Sequence, residues 1–342
     1  MAVTRMVRLS LVLAAGALAV VWQSSAPAAQ AQNRQLKLVS TAWSPFTNAP
    51  GQPRFALDLV ESALGRINIT ATTTIVEASR FTPSLLGSDF DGSAAAWKDA
   101  EREKALIFSQ PYLENRLILV GRRGSDVSAA SLAALNGKKV AIVDGYSYGD
   151  IDNSGPTFVR SRGEEDSVSL LLGSAVDYAL MDDLVVEYIA KNNPEEARAR
   201  LQFGTRPLVT RPLYLALSRR MLDAQGIVNR FNAELRGMIA DRTYHRLLHV
   251  DWIRADMDGD GVDEFVPAND RPGPQAPDRA YNLFSTTTDT VPRSSRSNEQ
   301  QHFFIGGSIY NGWTQVPDMY KVPDPPRPDP NKSAVNIFRF TW

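Results

Sequence analysis

The densest chemistry in the chain is Asp256-Met257-Asp258-Gly259-Asp260-Gly261-Val262-Asp263-Glu264. Carboxylates stand at loop positions 1, 3, 5 and 9, with glycine at position 6, which is the pattern of a calcium-binding loop. Carboxylates this close repel one another unless a hard cation neutralises them. The donor set expected from this spacing is Asp256, Asp258, Asp260, the Val262 carbonyl and Glu264, holding Ca2+ in a structural role. Position 12, where a helix-loop-helix sensor has a bidentate glutamate, is Pro267, so an exit helix cannot follow readily. Asp263 or a downstream acid would complete the shell.

Three other places carry polar groups of chemical interest. Arg102 offers a planar fork of N–H donors that matches a carboxylate, or it pairs locally with Asp99, Glu101 or Glu103. Asp144-Gly145-Tyr146-Ser147-Tyr148-Gly149 follows an apolar run and is expected to open a helix whose free N–H groups favour an anion, with Ser147 as donor. His245 and His249 have the i, i+4 spacing of a metal pair. No H-E-x-x-H glutamate accompanies them and the chain has no cysteine, so they read as surface or interlobe residues rather than a zinc site.

Alternating short apolar runs and amphipathic stretches from Leu36 to about Trp252 place these groups in an α/β framework. The pattern predicts strands at Leu36–Trp43, Ile69–Val76, Asp91–Trp97, Arg116–Val120, Tyr178–Met181 and Leu213–Ser218, with a further strand near Arg200–Phe203. Helices are expected at Phe55–Arg66, Leu184–Asn192, Gln225–Ala240 and Thr243–Val250. The order implies two lobes, 32–114 with 210–252 and 115–209, joined by two chain crossings that act as a hinge. A calcium-loop segment (253–270) and a Pro-rich, partly disordered extension (271–342) follow. Within the extension, His302–Tyr310 has strand propensity around a Gly-Gly turn and is expected to form a hairpin or an edge strand. Trp313, Tyr320, Phe338, Phe340 and Trp342 are aromatics able to dock on the body.

The 342 residues are 43% hydrophobic and 22% charged, enough apolar material for two ordinary domains. Arg5 and Arg8, an apolar run from Leu9 to Trp22 and Ala29-Gln30-Ala31 read as a cleaved signal peptide, 1–31. The run is shorter than the roughly 20 residues a spanning helix needs. With no cysteine there are neither disulfides nor a lipid-anchored cysteine, so a freely diffusing, monomeric periplasmic protein is expected. Net charge is −1 and no basic run tracks phosphates, which argues against nucleic acid as a partner.

The stretch Asp91 to Trp97, followed by Glu101-Arg102-Glu103 and Phe108-Ser109-Gln110-Pro111-Tyr112, resembles a segment of the family 3 periplasmic solute-binding proteins, the amino-acid receptors of bacterial ABC importers. The resemblance implies a two-lobed type II periplasmic binding fold, a small amino acid or related carboxylate as ligand, and an ABC permease as partner. It assigns Arg102 to the ligand's α-carboxylate and Asp182, after a second-lobe strand, to its α-ammonium. The competing reading of Asp182 is an N-cap for the helix that follows, unless Asp183 serves as the cap. Trp43, Ala95 and Trp97 fall where the family packs on ligand. Ala95, Ala96, Trp97 and Lys98 stand where the family usually has hydroxyl residues, and Asp99 and Ala100 where it has a threonine, which leaves the ligand's identity open. Two other classes share the fold: a dehydratase of cyclohexadienyl acids, for which Glu101, Glu103 or Asp182 would supply the acid, and an accessory or sensory protein whose Arg102 is paired internally.

Overall fold

A computed structural model describes residues 34–149, 151–277, 280–282 and 301–322. The expected signal peptide and the aromatics Phe338, Phe340 and Trp342 lie outside the described residues. The first lobe opens with β1 (Arg34–Thr41), α1 (Phe55–Arg66), β2 (Ile69–Val76), α2 (Ala78–Leu86) and β3 (Gly92–Trp97). These strands lie parallel in the order β2-β1-β3, as right-handed βαβ crossovers require. The edge strand β2, ITATTTIV, has only Ile69 fully buried; its threonines are the β-branched residues that suit a half-wet sheet face.

Helix α1 buries Phe55, Ala56, Leu57, Leu59, Val60, Ala63 and Leu64, more than one stripe, because the sheet covers one side and later helices the other. Strand β3, GSAAAW, is buried along its whole length. Its small residues let backbones approach: a Cβ on Gly92 would meet the Ala216 carbonyl oxygen at 2.0 Å. Helix α3 (Ala100–Ala105) and β4 (Leu106–Phe108) follow, and β5 (Leu113–Arg122) carries the chain to the second lobe.

That lobe consists of β6 (Lys139–Val143), β7 (Thr157–Ser161), α4 (Glu164–Leu172), β8 (Tyr178–Asp182), α5 (Asp183–Asn192) and α6 (Pro194–Arg200). Its parallel order, β7-β6-β8, repeats that of the first lobe. The return crossing is β9 (Leu201–Ser218), one strand where the sequence predicts two. Gly204, Pro207 and Pro212 read as a break, yet β9 stays antiparallel to β5 from Leu201↔Arg122 to Leu213↔Leu113, absorbing the irregularity as register shifts around Ile118. Paired β5 and β9 thus run through both lobes and form the two-strand hinge. They join one continuous sheet, β2-β1-β3-β9-β5-β8-β6-β7, with β4 also on β9.

Helices α7 (Ala224–Ala240) and α8 (Thr243–Leu248) return to pack on α1. Beyond them, β10 (Trp252–Ala255) and β11 (Glu264–Pro267) pair antiparallel and clamp the acidic loop between them. Strands β12 (Tyr281–Asn282), β13 (His302–Ile305) and β14 (Ser308–Asn311) complete a second sheet in the order β12-β10-β11-β13-β14. Phe303 and Trp313 meet edge to face at 5.0 Å and both lie beside Trp252, so this sheet has an aromatic core of its own with Phe265, Ile305 and Val316. His245 ties it to α8: its imidazole Nε2 lies 3.0 Å from the Val266 carbonyl, and burial lowers its pKa to about 4. His245 is therefore neither a surface nor an interlobe residue, as its sequence context suggested, but is buried against the second sheet, while His249 ends α8 in the left-handed region.

Candidate functional site

A small cavity, about 20 Å3, lies between the lobes. Ser40, Thr41, Trp43, Ala95, Trp97 and Arg102 line it from the first lobe, and Tyr146 and Ser147 from the second. Five of the six expected ligand residues therefore meet at one place.

Arg102 reaches the cavity from the first turn of α3 and is only 3% exposed. Its Nη1 donates to the Trp97 carbonyl at 2.8 Å and its Nη2 to the Thr82 hydroxyl at 2.8 Å. Nε stands 3.4 Å from an Asp99 oxygen without making a hydrogen bond. Of the five N–H donors of a guanidinium, three remain uncommitted. Burial lowers the Arg102 pKa, Asp99 opposes that, and nearby Arg211 adds to it.

Asp99 caps α3, accepting the Arg102 backbone N–H at 2.8 Å, while its other oxygen accepts the Ser147 hydroxyl at 2.6 Å across the cleft. Burial alone would raise its pKa; the Arg102 backbone N–H, the Ser147 hydroxyl and the guanidinium outweigh it, so the carboxyl lies below its ordinary range. Where the expectation was a helix opening after Asp144, the described residues from Asp144 to Gly149 form a turn and an irregular segment. Ser147 works through its side chain instead. Gly145 is pressed on the first lobe: at φ +78°, a Cβ there would meet the Ala78 carbonyl oxygen at 2.3 Å. The Tyr146 hydroxyl lies 3.2 Å from that of Thr41. The lobes are shut, and the latches are polar.

Aromatic rings take up most of the space. Trp43 and Trp97 from one lobe stand 5.5 and 5.7 Å from Tyr146 of the other, and Trp97 lies 5.3 Å from Tyr148. The indole N–H of Trp97 donates to Asn115 Oδ1 at 2.8 Å, and Asn115 Nδ2 in turn donates to Asp182 Oδ2 at 3.0 Å.

Asp182 requires a correction. It is fully buried, absent from the cavity wall, and is the N-cap of α5 through the Leu184 N–H at 2.9 Å. Its second oxygen also accepts the Arg116 N–H at 3.1 Å, so three donors occupy the carboxylate that was to face an ammonium. Burial first and Asp183 second raise its pKa. Asp183, beside it, pairs with Arg116 at 2.7 Å. Glu101 and Glu103 bond to Lys104 and Lys98 and do not line the cavity.

Sequence reasoning missed Phe81 in the cavity wall and two residues behind it, Thr82 and Glu164. Thr82 and Phe81, whose ring lies 5.4 Å from the Arg102 guanidinium, come from α2, a helix hidden by its internal Pro83. Glu164, at the start of α4, lies beside the Trp43 indole. Burial pushes it up to about 8, although the indole N–H, close but short of a full hydrogen bond, favours the charged form.

The second place is the β10–β11 loop. It brings oxygens of Asp256, Asp258 and Asp260 within 4.8 Å of one another. Asp256 accepts the N–H groups of Gly259 and Gly261, and Asp260 that of Val262 at 2.7 Å. Glu264 reaches back from β11 to accept the Met257 N–H at 2.8 Å.

A shut pair of α/β lobes around a buried arginine, hinged on two strands, defines the class of type II periplasmic binding proteins. Residues 38–254 match the model of the bacterial extracellular solute-binding proteins, family 3, and the chain belongs to that family. Among solved structures it is similar to an ancestral arginine-binding protein bound to arginine (22% identity, 63% of this chain and 96% of that one, TM-score 0.53). It is similar too to an arginine 3rd transport system periplasmic binding protein from Legionella pneumophila (22%, 63% and 98%, TM-score 0.53). A GluR0 ligand-binding core in complex with L-glutamate aligns at 16% identity over 63% and 96%, with a TM-score of 0.54. At such identities the likeness is one of fold. None of the curated proteins matches the chain in sequence.

Proposed function

We propose that the protein is the periplasmic receptor of an ABC-type importer, binding one small carboxylate, an amino acid or a close relative, by hinge closure of its lobes. One observation carries this reading: Arg102 is buried in the wall of an interlobe cavity with three donors uncommitted. A buried cation held this way is poised for a charge-assisted bond with an anion. Between the shut lobes the cavity has only about 20 Å3 of free space, room for about one water, so a ligand would enter as the lobes part and displace the rings. Trp43, Trp97 and Tyr146 would pack on its apolar part, and Ser147 would exchange its bond to Asp99 for one to the ligand. With Asp182 committed to α5, the partner for any ligand ammonium would be Asp99, which is bonded to the wall residues Arg102 and Ser147. Delivery to an inner-membrane permease, export by the N-terminal signal and a monomeric state complete the reading.

A second reading rests on the latches. Asp99 to Ser147 and Thr41 to Tyr146 tie the two lobes directly to each other, contacts that would suit an accessory or sensory protein that kept the fold. Thermal-shift and calorimetric titration of residues 32–342 with amino acids and small organic acids separates the two. A ligand at a hundred times its Kd should raise apparent stability by roughly 2.7 kcal/mol, and the Arg102→Ala variant should lose that gain. Silence across the carboxylates sinks the receptor reading.

A further inference from the structure

The acidic loop lies outside the cleft, and its reading stands or falls separately from the receptor proposal. Three aspartates converge within 4.8 Å on the connection between β10 and β11, and among the described residues no arginine or lysine is ion-paired with them. A cluster of exposed acids alone would mean little. The decisive group is Glu264, 1% exposed, whose Oε2 is anchored to the Met257 N–H inside the loop while its Oε1 is buried with no partner. A buried carboxylate oxygen left bare is costly unless a ligand uses it.

We infer that Asp256, Asp258, Asp260, the Val262 carbonyl and Glu264 hold one Ca2+, which staples the β10–β11 pair and through it the second sheet. All donors are oxygens, as a hard cation prefers, and Gly259 and Gly261, both at positive φ, allow the chain to wrap them around it. An open loop of this kind suits the variable geometry of Ca2+ better than the strict octahedron of Mg2+. The mechanical consequence follows from register. Glu264 pairs with Ala255 on one side and with His302 on the other, so fixing its carboxylate fixes the strand against which β13 and β14 assemble.

The test is calorimetric titration of the chelator-stripped chain with Ca2+ and with Mg2+, alongside limited proteolysis. One Ca2+ per chain should bind, and cleavage within 256–263 should slow at least tenfold. Asp258→Asn combined with Asp260→Asn should abolish both effects, and the near-isosteric Glu264→Gln should weaken binding about tenfold even if the double variant folds poorly. No binding at millimolar Ca2+, equal binding by wild type and Glu264→Gln, or equal retention of Mg2+ overturns the assignment.

Discussion

In the cleft, Arg102 is 3% exposed and has a carboxylate, a hydroxyl and a carbonyl around it; in the β10–β11 loop, three aspartates face one another with no arginine or lysine ion-paired to them among the described residues. The contrast shows how the same fold stores charge in two ways. Burial makes an unpaired guanidinium expensive, so the cleft supplies its own partners and keeps only part of the fork for a guest. Exposure makes repulsion among carboxylates cheap, so the loop leaves its neutralisation to an ion from outside. Substitutions in the cleft should therefore disturb stability and binding together, whereas those in the loop should act with opposite signs without and with calcium.

The largest effect is expected at Asp182, behind the cleft. Asp182→Ala removes a helix cap and strands three buried N–H groups, which together should cost about 3 kcal/mol or more in urea unfolding. Ligand affinity of the folded fraction should change little. A stable variant with lost affinity would instead return Asp182 to the binding site and erase the distinction drawn above.

Arg102→Ala comes next. Because the guanidinium holds the Trp97 carbonyl and Thr82, the substitution should lower stability by about 2 kcal/mol as well as abolish carboxylate binding. A carboxylate-binding arginine on an open surface would show only the second effect, and equilibrium unfolding beside calorimetry tells the cases apart.

Glu164 sharpens the same point through pH. Its folded pKa, about 8, lies above the unfolded value near 4.5, so the folded state holds the proton more tightly. Stability contributed by the neutral acid is complete below the unfolded pKa and is lost as pH rises toward 8. Melting curves of wild type and Glu164→Gln should coincide at about pH 4 and below, diverge between about pH 4.5 and 8 and stay a constant distance apart above pH 8, with the glutamine variant the more stable. Parallel curves at all pH values would mean that Glu164 is solvated.

Much of this was legible in residue pattern. Helix α1 and strand β2 have the bounds that apolar period and β-branching predict, and Arg102 with Trp43, Ala95, Trp97 and Ser147 does meet at one cavity. What stayed hidden depended on long-range pairing. Pro83 masked α2 and with it Thr82, and two prolines masked the continuity of β9 that only its partner β5 enforces. Asp182 offered two roles that local sequence cannot separate. Asn115, 67 positions away in the chain, decided between them by occupying its carboxylate.

The smallest expected effect is also the one that tests the comparison most directly, because its sign should invert. Without calcium, Asp258→Asn removes one of three mutually repelling charges on an exposed loop and should stabilise the protein by a few tenths of a kcal/mol, roughly the scale of surface charge pairs. With calcium in excess the same substitution removes a ligand and should destabilise by more than that, since binding energy adds to the native state alone. Melting temperatures with chelator and with Ca2+ give both signs in one experiment. Identical shifts in the two conditions would mean that the loop is complete without an ion, and that its aspartates serve only to hold the turn.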